Sequence, residues 1–60
     1  MKNIKAFELK DLDIIYLGNG LIGKIVHIYP SQSKPDWLIL HFSDGFMTEC
    51  QQDEMFEKLN

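Results

Sequence analysis

Apolar positions along this chain come in short runs broken by turn residues. Ile14-Ile15-Tyr16-Leu17 stops at Gly18-Asn19-Gly20, and a second apolar run opens at Leu21. Glycine and asparagine tolerate the positive φ that tight hairpin turns require, and β-branched and aromatic residues suit a pleated, half-buried surface. The pattern predicts strands over Asp13–Leu17 and Leu21–Tyr29, joined as an antiparallel hairpin. In the second strand Ile22, Ile25 and Ile28 recur every third residue. A strict period of two cannot place all three on one face. Either Ile22, Val26 and Ile28 share a face, or a bulge turns Ile25 and Ile28 inward together.

Pro30-Ser31-Gln32-Ser33-Lys34-Pro35-Asp36 reads as a polar loop, because proline removes a ladder donor. Trp37–Phe42 is apolar nearly throughout and is expected to be a central strand covered on both sides. Ser43-Asp44-Gly45 is a second hairpin signal, and Phe46–Cys50 follows as a fourth strand. Gln51–Met55 suggests a helical turn, with Phe56–Leu59 as a last short strand. Residues 1–11 form an extended arm that tucks Phe7 and Leu9 inward, and residues 12–59 form the body of one domain spanning 1–60. The fold class is therefore all-β: a small barrel of four to five antiparallel strands with a short helical turn near the C-terminus.

Several of these elements resemble a known architecture. Gly23, Ile25 and Ile28, then a loop, then an apolar strand ending in Phe42-Ser43-Asp44-Gly45, are similar to Src-homology-3-like barrels. Within that group they look like the KOW and Tudor families, with Asp13-Ile14-Ile15 in the place of the families' first strand. The resemblance spans Leu12 to Leu59 through short, generic elements. It implies a small binding or regulatory module, of a kind common among bacteriophage and bacterial proteins. Its Tudor side implies an aromatic cage for cations, its KOW side contact with nucleic acid.

Sixty residues bury too little surface for more than one small core. Chains of this size often need a supplement, and the single Cys50 cannot form an internal disulfide. A well-packed barrel and a homodimer both remain open. The apolar runs are far shorter than the roughly 20 residues of a membrane helix. No apolar run follows Met1-Lys2-Asn3-Ile4-Lys5 as a signal peptide would require. With an unpaired cysteine, this points to the reducing cytoplasm and to no membrane.

The net charge is −3, and all six cations are lysines. Nucleic-acid affinity rests on cations against phosphate, with much base reading done by arginine, so this balance disfavours such a partner. Catalysis is poorly provided for. Cys50 stands beside Glu49 and near Asp53, which raise a thiol's pKa rather than lower it. His27, His41 and Cys50 lack the short paired spacing of a zinc site, so no metal and no cofactor are expected. His27 and His41 read as strand-surface residues, and the glycines as turn residues.

The aromatics offer more. Tyr16, Tyr29, Trp37 and Phe46 fall at strand ends, with Asp44 close by, Trp37 and Phe46 being open between core and binding surface, and Asp53, Glu54 and Glu57 crowd the C-terminal segment. The expected function is a non-enzymatic adaptor that grips a protein partner through an aromatic rim, an acidic face, or both. The alternative is a KOW-like nucleic-acid binder using Lys24 and Lys34, with stacking by Tyr29 and Trp37.

Overall fold

The computed structural model describes residues 2–60. Six strands occur in chain order: β1 (Lys2–Lys5), β2 (Ile14–Gly18), β3 (Leu21–Pro30), β4 (Trp37–Phe42), β5 (Met47–Gln51) and β6 (Met55–Lys58). They form one sheet in the order β1-β6-β2-β3-β4-β5, with every pairing antiparallel. This is six strands rather than four or five. The sheet is not closed into a barrel either, since β1 and β5 are its two edges and share no ladder.

The extra strand is the start of the expected arm. Lys2-Asn3-Ile4-Lys5 carries no strand signature of its own and becomes one because β6 supplies its ladder, with Ile4 opposite Phe56. The chain then makes a single 3-10 turn over Ala6–Glu8, closed by Leu9 N–H donating to the Ala6 carbonyl at 3.1 Å. Side chains three apart eclipse in such a turn. Ala6 and Leu9 therefore both plug the core, at 1% and 7% exposure. Phe7, expected inside with Leu9, is thrown outward and is 58% exposed. The helical turn expected over Gln51–Met55 is a plain reverse turn between β5 and β6, where Glu54 N–H donates to the Gln51 carbonyl at 3.1 Å.

The first hairpin turns on Asn19 and Gly20, with φ of 54° and 78°, the double positive pair of a type I′ turn. β3 is long because it serves both halves of the sheet. Ile22 to Lys24 pair with β2, and the strand from Ile25 onward pairs with β4. The register slips between Ile25 and His27. That bulge re-phases the strand, so Ile25 is buried and Ile28 packs against the core as well. Gly23 is buried where the Phe42 ring crosses the strand, and no side chain fits there. A β-carbon would stand 2.6 Å from Phe42 Cδ1 and 3.1 Å from Leu17 Cδ1.

The core is Ile15, Ile25, Leu40, Phe42 and Cys50, closed below by Ala6 and Leu9 and flanked by Ile4, Leu17, Ile28, Leu38 and Phe56. Each fully buried large side chain contributes about 1.5–3 kcal/mol. β4 is central, as expected, but only its Leu38-Leu40-Phe42 face is covered by core. Trp37, Ile39 and His41 alternate onto the outer face and are half-buried. Asp13 is the buried charge. Its Oδ2 accepts from Lys10 N–H at 2.9 Å, and its Oδ1 lies 3.6 Å from Lys58 Nζ.

Candidate functional site

The 3-10 turn that exposes Phe7 is docked on the β5–β6 turn. Ala6 N–H donates to the Glu54 carbonyl at 2.8 Å, and Phe7 N–H to the Gln52 carbonyl at 3.0 Å. On the other side, Gln52 N–H reaches the Asp36 carbonyl at 3.3 Å, just before β4 begins. These bonds draw three distant segments around one hollow of about 430 Å³. Phe7, Pro35 and Trp37 are its apolar walls, and Asp36 and Asp53 bring carboxylates to it. No cationic residue lines it. The volume lies within the range of pockets that take small ligands or single side chains, about 300–1,000 Å³.

Trp37 is held from the loop side. Lys34 Nζ sits 4.4 Å from the centroid of the indole and 3.3 Å from Glu49 Oε1. Ser31 organises this loop. Its hydroxyl donates to Glu49 Oε2 and accepts from Lys34 N–H at 3.2 Å. The Ser31 hydroxyl holds the Glu49 carboxyl below its ordinary range against the opposing effect of burial, with Lys34 adding in the same direction as Ser31. The Trp37 ring thus already carries one cation, in a fixed position.

The other residues singled out in the sequence lie on several faces. Tyr29 shares the outer face of the sheet with His27, their rings 5.4 Å apart, and its hydroxyl lies 3.5 Å from Met47 Sδ. The Tyr16 hydroxyl accepts from Gly20 N–H at 3.1 Å and braces the first hairpin. Asp44 accepts from Phe46 N–H at 2.9 Å within the second hairpin turn. Phe46 precedes β5 instead of opening it; it is 56% exposed and stacks on Phe42 with ring centroids 6.0 Å apart. Glu54 shares a second groove with Phe46, while Glu57 lies in β6 opposite Asn3 and Tyr16. Of the four aromatics, only Trp37 lines the Phe7 hollow, with Asp53 from the acidic segment. Neither hollow contains Tyr16 or Tyr29.

No known family model, curated protein or solved structure matches the chain. The chemistry must therefore be read from the residues themselves.

Lys24 is exposed on β3, whereas Lys34 is engaged by Glu49 and Trp37. Cys50 is free and 1% exposed, and burial, then Glu54 and Glu49, push its thiol up to about 11. His27 and His41 are opposite one another across β3 and β4 on the outer face, while Cys50 points into the core. The sheet itself separates that thiol from both imidazoles. Among the described residues, no group of three histidine, cysteine, aspartate or glutamate side chains is placed to hold a metal. Nor is any helix there long and apolar enough to cross a membrane.

Sequence reasoning missed Phe7, Pro35 and Asp36 as partners of Trp37. The available signal was the Ala6–Leu9 spacing of three, which fits an eclipsed turn better than a strand. Nothing local announces that this turn docks beside residue 36.

Proposed function

We propose that this chain is a non-enzymatic binding module whose Phe7–Trp37 hollow receives a basic or aromatic-stacking side chain from a protein partner. The observation that carries this reading is the hollow's composition: apolar walls from two separate segments, Asp36 and Asp53 beside them, and no cationic residue in the lining, with Lys5 and Lys34 near the Phe7 and Trp37 rings from outside it. A lysine or arginine entering there would meet Asp36 and Asp53 between two rings that each have one lysine nearby already. Large aromatics with a few placed polar groups are the usual anchors of protein recognition. The architectural part of the proposal is an opened Src-homology-3-like barrel. Its support is the order β1-β6-β2-β3-β4-β5, with one long bent strand shared by the two halves. A reducing, cytoplasmic setting accords with a cysteine that stands free.

Selection from a displayed random-peptide library tests the reading. Enriched peptides should carry a basic residue beside an apolar one and shift the NMR signals of Phe7, Trp37, Asp36 and Asp53. Phe7→Ala and Asp53→Asn should each weaken capture while leaving the fold intact, since both positions are exposed. Enrichment of acidic peptides, or capture indifferent to both substitutions, would refute it. Tight, steeply salt-dependent binding of an oligonucleotide would transfer the function to nucleic acid.

A further inference from the structure

β5 is an unpaired edge bordering an open seam. Phe42 N–H donates to the Phe46 carbonyl at 2.9 Å, and Gln52 N–H to the Asp36 carbonyl at 3.3 Å. Hydrogen-bonded pairs alternate along an antiparallel ladder. Thr48 and Cys50 therefore spend their backbone groups on β4. Met47 and Glu49 direct theirs to the open side, as does the Gln51 N–H, while the Gln51 carbonyl is already taken by Glu54 N–H. Beside that edge lies a groove of about 270 Å³ between β5 and the β2–β6 side of the sheet. Leu17 and Phe56 form its floor, Leu21 and Phe46 its mouth. Leu21 is 63% and Phe46 56% exposed, which is costly for large apolar groups with nothing over them. The opposite edge is defended differently, because β1 carries Lys2 and Lys5.

We infer that β5 accepts an extended segment of a partner protein as an added strand, one that alternates apolar with basic residues. The apolar alternation follows from the pleat. Side chains of a strand laid against β5 point alternately into the seam, onto Leu17 and Phe56, and out to solvent. The basic alternation follows from charge. Glu49 and Glu54 line the groove, and no cationic residue does. Glu49 is partly answered by Lys34 from the loop side, which leaves Glu54 as the main unmet charge. The same arrangement argues against a second copy laid edge to edge, which would bring each groove's carboxylates together. The inference rests on the binding-module reading and extends it, since Gln51 ends β5 and also lines the Phe7–Trp37 hollow.

The test uses the full chain and a heptapeptide of alternating valine and lysine, with two versions N-methylated on alternate residues in opposite phase. Hydrogen exchange and amide NMR shifts are read at Met47, Glu49 and Gln51. The unmodified peptide and one methylated phase should protect these amides, and the other phase should not, because methyl groups then block the shared ladder. A valine–glutamate peptide should not bind, and Glu54→Lys should weaken the lysine peptide by about 5-fold or more. Equal behaviour of the two phases, or no protection with any peptide, overturns the inference. Shifts confined to Phe7 and Trp37 overturn it too while leaving the hollow reading intact. Protection of β5 that persists unchanged in Trp37→Ala upholds the added strand as a contact independent of the hollow. Self-association that rises with concentration and protects the same amides assigns the edge to a second copy and overturns the inference.

Discussion

Replacing Gly23 by alanine adds one methyl group where the Phe42 ring already sits. The new β-carbon would lie 2.6 Å from Phe42 Cδ1, 2.8 Å from Cε1 and 3.1 Å from Leu17 Cδ1. Leu17 is half-buried, and the atom met is the far end of its flexible side chain. Phe42 does not: it is 2% exposed and stacked against Phe46. Forcing one methyl into a packed core costs about 1–3 kcal/mol. Alanine returns about 0.5–1 kcal/mol, because glycine is the poorer strand residue and Gly23 has no positive φ to protect. The difference spans about 0–2.5 kcal/mol, and a contact as short as 2.6 Å with a ring that cannot move aside places the expected loss at about 1–2 kcal/mol, against the roughly 3–5 kcal/mol that a core this small supplies. At about 8 °C per kcal/mol for a chain of this length, the melting point should fall by about 8–16 °C. Urea unfolding followed by far-ultraviolet circular dichroism measures the loss as a lower midpoint at unchanged slope. The cause is isolated by a double-mutant cycle with Phe42→Leu, which removes the ring. If the ring is what alanine strikes, the two losses should fall short of additive by at least about 1 kcal/mol. An alanine variant as stable as the parent, or losses that add to within about 0.5 kcal/mol, would refute the reasoning.

Four further outcomes are expected. Leu12 holds a φ of 76° while 62% exposed, so Leu12→Asn should stabilise the chain by about 0.5–1 kcal/mol in the same urea assay. Cys50 should resist a disulfide reagent at pH 8 and react at the rate of unfolding, since its thiol is buried and its folded pKa is about 11. Because that value is raised from 9.0, the neutral thiol's stabilising share is complete below pH 9 and is lost between pH 9 and 11, visible as alkaline unfolding that Cys50→Ala removes. Glu49 works in the opposite sense: its lowered pKa gives stability that is full above about 4.5 and fades as pH falls through the folded value, and Ser31→Ala should move its carboxyl titration upward by NMR.

What the sequence determined by itself is the punctuation of the chain. Gly18-Asn19-Gly20 and Asp44-Gly45 specify hairpins because few other residues tolerate the positive φ of Asn19, Gly20 and Gly45, and the strands on either side of them fall within a residue or two of their expected bounds. The threefold spacing of Ile22, Ile25 and Ile28 left two readings, and the slip in register at Val26 selects the bulge. Which face of Trp37–Phe42 and Phe46–Cys50 turns inward was not legible, and the fold places Phe42 and Cys50 on the buried one. What only the tertiary structure decided is everything that depends on residues far apart in the chain. Lys2–Lys5 is a strand because Met55–Lys58 lies beside it, and Asn60 is stitched to Leu12 and Ile14 across the whole chain. The Phe7–Trp37 hollow exists because one eclipsed turn docks on the β5–β6 turn, and the sheet stays open because no strand among the described residues pairs with the outer edge of β5. Local steric rules set φ residue by residue, whereas pairing is a competition among all segments at once, and its outcome is written in no single one of them.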